Sequence, residues 1–261
     1  MKQASHKRAN HNPNASADVS LNPCFLPGGE PVPSGDLPAV VRGLQGDNNK
    51  VLLSISGKDS LAAWLFLREH NFDVIPYFCY AVPGLSYDVD WIGYLENKLD
   101  TKIYRYLHPN SAGLLADCCY QVPERVGTIS RMGLFKYDFA YLETQIKDYE
   151  QLPPETFSAV GIRAKDNLMR NRLVRQMGPL GLKRRRYWWC VWDFSQDDTM
   201  AIIRKHGMKL SAAYRIWGAT GDVIDYPFLK ALHAGSPDDF RKFVDFYPLI
   251  EAEFFRYEGV K

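Results

Sequence analysis

The chain has 261 residues, 46% hydrophobic and 24% charged, with 32 Lys and Arg against 30 Asp and Glu. That is an ordinary balance for a soluble globular protein, long enough for one large α/β domain with a small appendage, and a net charge of +2 selects no partner class. Five scattered cysteines without a C-x-x-C exclude a disulfide scaffold, and no run of about 18 apolar residues offers a membrane span.

The N-terminal stretch "MKQASHKRANHNPNAS" has no apolar region of the kind a secretory signal needs, so the expected location is cytoplasmic and the sequon at Asn14 is read as chance. Residues 1–20 are polar and expected to be disordered. The Pro- and Gly-rich stretch 22–37 reads as an irregular lead-in. Together they give an extension over 1–48 ahead of a folded domain over 49–261.

That domain opens with an aliphatic strand at 50–55 and a helix over 61–69 that is apolar nearly all round. A strand follows at 73–81, although Pro76 argues against a fully paired interior position. A helix over 88–99 and an alternating strand at 102–108 come next. Strand, helix, strand, helix, strand at this spacing indicates a parallel sheet with right-handed crossovers, an α/β class fold. Residues 110–135 give no clear period. A short strand is expected near 157–160, then a loop, a basic helix and an aromatic stretch. Ser195 starts a helix as its N-cap, and Ser236 caps another that has Pro237 at its first position.

Between the first strand and the first helix lies "SISGKDS", residues 54–60. Small residues passing straight into a helix present backbone N–H groups at its positive end, a ready site for phosphate. Ser54, Ser56 and Gly57 keep the turn narrow, Lys58 adds charge, and the Ser60 hydroxyl can donate to a phosphate oxygen. Asp59 makes sense as the N-cap or as a contact to a metal ion bridging the phosphates. A Walker A loop is excluded, because it needs Gly at Leu52 and Ser or Thr at Asp59. The plain alternative is a capped strand-to-helix turn.

Residues 55–60 resemble the pyrophosphate-binding PP-loop, S-G-G-x-D-S, of the adenine nucleotide α-hydrolases, with Ile55 and Ser56 departing from it. "GIRAKDN" (161–167) resembles the G-x-R-x-x-[DE]-S element of the phosphoadenosine phosphosulfate (PAPS) reductase family, and "VWDFSQDD" (191–198) its aromatic-Trp-Asp element. The resemblance runs in order over about residues 50–258. It implies a Rossmann-like α/β/α sandwich with a mostly parallel sheet, binding an adenine nucleotide: ATP with Mg²⁺, or PAPS or adenosine phosphosulfate (APS) as substrate. It implies Ser54, Ser56, Gly57, Lys58, Asp59, Ser60, Gly161 and Arg163 as nucleotide contacts. Lys58, Asp59 and Arg163 are implied in catalysis, and Asp59 is the implied metal ligand.

The reductases carry a nucleophilic Cys near the C-terminus, whereas nothing after Cys190 is cysteine here. The expected activity is therefore adenylation of an acceptor with release of pyrophosphate, in sulfur transfer or nucleic-acid modification. Reduction through Cys190 or the Cys118-Cys119 pair is the alternative. An iron–sulfur cluster is not expected: the Cys118-Cys119 pair would need a later C-x-x-C, only Cys190 follows, and the set is one ligand short unless Cys79 or a non-Cys ligand fills the gap. A third reading is a nucleotide- or nucleic-acid-binding module without turnover, a subunit serving a partner or assembling with its own copies. Residues 161–190 hold nine Lys and Arg against one acid, interleaved with Tyr187, Trp188 and Trp189. Segment 163–189 is thus a candidate nucleic-acid surface, set against a solvated helix followed by a buried aromatic strand.

Overall fold

The computed structural model describes residues 22–46, 48–182, 185–218 and 224–258. The expected disorder over 1–20, and Lys183 and Arg184 of the basic run, lie outside the described residues. Helix α1 (Leu37–Gln45) falls inside the stretch expected to be irregular. Its apolar residues 37, 40, 41 and 44 recur at helical spacing, Leu37 and Val41 are fully buried, and the Gln45 side chain accepts the Phe157 N–H at 2.7 Å. The lead-in is pinned as well: Trp192 Nε1 donates to the Val32 carbonyl at 3.0 Å, and Asp193 accepts the Ser34 N–H at 3.1 Å.

Strand β1 (Lys50–Ile55), helix α2 (Lys58–Glu69), strand β2 (Asp73–Tyr80), helix α3 (Ser86–Leu99) and strand β3 (Tyr104–Leu107) form the expected parallel units. Helices α4 (Pro109–Ala116), α5 (Pro123–Met132) and α6 (Phe139–Tyr149) lead to strand β4 (Ser158–Val160). Helix α7 (Leu168–Met177) precedes the short strands β5 (Leu180–Gly181) and β6 (Tyr187–Trp189), and helix α8 (Gln196–Lys205) follows. The six strands run β3-β2-β1-β4-β6-β5, all parallel except the β5–β6 pair.

Successive residues of β1 point to opposite faces, and both faces are covered. Val51, Leu53 and Ile55 enter a core with α2, α3 and α8. Leu52 joins Ile75 and Tyr77 against Leu142 and Ile146 of α6. This is a Rossmann-like α/β/α sandwich. Strand β2 is interior despite Pro76. Pairing with β3 begins only at Tyr77, so at Pro76 the strand has a neighbour on the β1 side alone, and a missing N–H is tolerated there.

Four helices close the described chain: α9 (Ala213–Trp217), α10 (Tyr226–Gly235), α11 (Pro237–Phe246) and α12 (Ile250–Glu258). They build a separate, largely aromatic core from Phe228, Leu232, Phe240, Phe243, Tyr247 and Phe254, which takes Val82, Leu85 and Tyr87 from the corner between β2 and α3. Buried Asp239 ties the two parts. It accepts the Ser86 N–H at 2.8 Å and the Ser86 hydroxyl at 2.7 Å, and also bonds Ser236 and Lys242 within α11 and its cap.

Candidate functional site

From β1 the chain passes outward to β2 and β3, then returns to β4 on the other side of β1. The carboxyl ends of β1 and β4 therefore flank a topological switch point, where open α/β sheets bind ligands. The 54–60 turn leaves β1 there, and Gly161 follows β4. A Cβ on Gly161 would lie 2.4 Å from the Ser60 Cα and 2.7 Å from the Asp59 carbonyl carbon. Glycine is what lets the two turns touch.

The turn is held from within. The Ser60 Oγ accepts the N–H groups of Ser56 and Gly57, both at 2.9 Å, and donates its hydrogen to the Gly57 carbonyl at 2.8 Å. Gly57, not Asp59, is the N-cap of α2, so that expectation is corrected. Ser60, at the third position of the helix, reaches back to the N-cap amide as the N3 side chain of a capping box does. Its hydroxyl hydrogen is committed inside the turn rather than offered to a phosphate. Lys58 N–H donates to the Tyr214 hydroxyl of α9 at 2.8 Å.

Asp59 stands between two cations: Oδ2 lies 2.7 Å from Lys58 Nζ, and Oδ1 lies 2.8 Å from Arg163 Nε. The second contact is too bent to be a hydrogen bond, so both buried atoms lack an aligned partner. Arg163 is only 5% exposed, and its Nη2 donates to Asp166 Oδ1 at 2.5 Å. The expected phosphate ligand thus lies behind the turn, where it fixes Asp59 and the 164–166 turn. Among the described residues, the arginine that lines the cleft is Arg170, the first charged residue of α7.

The cleft over the turn holds about 570 Å³, walled by Ser54, Ser56, Lys58, Gly161, Arg170 and Tyr214. A second chamber of about 690 Å³ adjoins it, and both share Cys79, His108, Asn110 and Phe139. His108 caps α4 by accepting the Asn110 N–H on Nδ1 at 3.1 Å and meets Phe139 edge to face. Tyr214 and the second chamber escaped sequence reasoning: a tyrosine 156 residues from Lys58 carries no local pattern.

Mg²⁺ keeps several waters and takes one or two carboxylates beside phosphate oxygens. Asp59 lines the cleft, and its Oδ2, which pairs with Lys58 here, fits as a single such ligand, while Oδ1 is buried against Arg163. Among the described residues no cluster of three His, Cys, Asp or Glu side chains could hold a metal on its own.

Cys190 and Cys79 do not resemble nucleophiles. Cys190 is fully buried, and burial pushes its pKa up to about 12. Cys79 lines both chambers, but burial and the nearby Glu143 carboxylate also push it up to about 12. The aromatic part of segment 163–189 is inward: Trp188 is 0% exposed and Trp189 is buried, so neither ring can stack on a base. Its cations are divided. Arg170, Arg172 and Arg175 lie on exposed α7, while Arg185 is bonded to the buried Glu143 carboxylate beneath the sheet.

No known protein family matches the chain, and no curated protein does. Among the described residues no helix is long and apolar enough to cross a membrane.

Proposed function

We propose that the protein is an ATP-using enzyme of the PP-loop, PAPS reductase-like kind, which adenylates an acceptor and releases pyrophosphate. The observation that carries this reading is the cleft at the switch point, floored by the 54–60 turn and by Gly161 packed against it. The amino end of α2, Lys58 and Arg170 give it positive character suited to a polyphosphate.

In this reading the acceptor oxygen attacks the α-phosphorus. An O–P bond forms to the acceptor, the bond to the β-phosphate oxygen breaks, and pyrophosphate leaves with its electron pair. The step needs alignment and charge neutralisation more than a protein nucleophile. Lys58 and Arg170 neutralise phosphate oxygens, and Arg163 positions Asp59 from behind. Asp59 would hold Mg²⁺ on the protein side through Oδ2, and the ion would supply further charge neutralisation. Reduction through Cys190 has little support, since that thiol is sealed in the core.

A binding module without turnover has one observation in its favour. The amides of Ser56, Gly57 and Lys58 are already taken by the Ser60 and Tyr214 hydroxyls. Incubation with Mg-ATP and candidate acceptors separates the two. Acceptor-dependent pyrophosphate, lost together with ATP binding in the Lys58→Ala/Asp59→Ala double variant, supports the enzyme. ATP binding without pyrophosphate release supports the module, and unchanged ATP affinity in the variant removes the turn from both.

A further inference from the structure

We infer that the protein holds a phosphate group in a pocket at the amino ends of β4 and β6, where Lys147, Arg185 and Arg186 converge. The inference does not depend on the ATP reading, and the pocket shares no residue with the switch-point cleft. It holds about 500 Å³. Its cations arrive by two routes. Lys147 stands one helical turn after Glu143 on α6, and Arg185 and Arg186 immediately precede Tyr187, the first residue of β6.

The charge at the floor of this pocket does not balance. Glu143, 3% exposed, accepts the Arg185 Nε hydrogen at 2.8 Å, a hydrogen from Arg185 Nη2 and the Tyr77 hydroxyl at 2.8 Å. That carboxylate answers Arg185, and the other donors of the guanidinium are left over. Lys147 Nζ donates to the Thr156 carbonyl at 2.5 Å. Arg186 Nη1 donates to the Leu44 carbonyl at 3.4 Å, and its guanidinium lies over the Phe157 ring. Among the described residues, neither of these half-buried cations has a carboxylate in ion-pair contact. Asp148 and Glu155 also line the pocket, but both are exposed and screened by water. Burial holds the Lys147 ammonium below its ordinary value, and Arg185 and Arg186 push the same way against Glu143 and Glu155. Cations held partly out of water without a counter-charge are costly, and a bound anion supplies that charge. A phosphate offers acceptor oxygens to the arginine forks and the ammonium together. The space exceeds what a free ion needs, and Ala140, Leu152 and Pro154 give an organic phosphate an apolar wall.

The test is calorimetry on the full chain with inorganic phosphate, glycerol 3-phosphate and, as control anion, acetate. Both phosphates should bind more tightly than acetate. A tighter fit for the ester assigns the site to a phosphomonoester, and the reverse assigns it to the free ion. One phosphate site should remain in the Lys58→Ala/Asp59→Ala variant, whose changes lie in the other cleft. Adding Lys147→Gln/Arg186→Gln to that variant should weaken the remaining binding about tenfold or more, whereas adding Lys147→Arg should retain it. Asp148→Asn/Glu155→Gln in the same background alters exposed side chains alone and should tighten binding several-fold. That pair keeps the proposal testable if a circular dichroism melt shows the Gln variant unfolded. No phosphate binding in the Lys58→Ala/Asp59→Ala variant overturns the proposal, because the ion would then sit at the 54–60 turn or nowhere. Equal binding after Lys147→Gln/Arg186→Gln, or no gain after Asp148→Asn/Glu155→Gln, overturns it too.

Discussion

The Tyr214 hydroxyl accepts the Lys58 amide hydrogen at 2.8 Å, joining helix α9 to the first turn of α2. Its oxygen stands where a phosphate oxygen bound to that amide would stand. Tyr214→Phe leaves the amide without this partner in the free protein, a loss on the order of 1 kcal/mol. The variant should therefore bind Mg-ATP several-fold more tightly by calorimetry. Weaker binding would instead place the hydroxyl among the direct nucleotide contacts.

Gly161→Ala puts a methyl group 2.4–2.7 Å from backbone atoms of Asp59 and Ser60, which cannot rotate away as a side chain could. Overpacking of this kind costs about 1–3 kcal/mol. Urea unfolding should show that loss, and Mg-ATP binding should fail because the turn is pushed out of shape. Normal stability with normal binding would mean that the two turns have room for a methyl group between them.

Arg163→Ala removes the buried cation between Asp59 and Asp166, two carboxylates that keep some contact with water. Breaking a fully buried pair costs about 3–5 kcal/mol, and solvent at both carboxylates should bring the loss below that range. Arg163→Lys keeps the charge but loses the fork that reaches both carboxylates, so it should recover only part of that stability. Full recovery in a denaturation series would reduce the role of Arg163 to charge alone.

Burial works to raise the Asp239 carboxyl, but the hydrogen bonds from Ser86, Lys242 and Ser236 outweigh it and hold the group below its ordinary value. A carboxyl depressed in the folded state contributes stability that is present above the unfolded value, about pH 4, and is lost as pH falls through the folded one. Asp239→Asn should lower stability at neutral pH and flatten the acid limb below about pH 4. An unchanged acid limb would assign the acid sensitivity elsewhere.

Iodoacetamide at mildly alkaline pH should leave Cys190 and Cys24 unmodified in the native chain, since both are buried and burial raises both thiols. Adducts should appear at half-buried Cys118 and Cys119, with all five cysteines reacting after denaturation. Rapid native labelling of Cys190 would reopen the reductase reading.

The strand–helix–strand succession from Lys50 to Leu107 was legible because its residues follow the two elementary periods, and the turn between β1 and α2 because small residues interrupt apolar ones. What stayed hidden depends on distant contacts. Helix α5 has Ile129 as its one buried residue, so it leaves no apolar stripe to read. Strand β5 is two residues long and exists through its pairing with β6. In the site, Lys58 is legible in the local chemistry of the turn, whereas Gly161 and Arg163 are named through the resemblance. The Arg163 side chain turns inward because Asp59 and Asp166 both face it, and a linear pattern does not show that.

The 54–60 turn belongs to the sheet's interior, yet one of its amides is held by a tyrosine from the separately packed aromatic helices. Filling the turn with a ligand would release that tyrosine and slacken a tether between two blocks of the molecule. Occupancy should then be felt far from the ligand, as faster amide exchange along α9 and α10 while the strands beneath become slower.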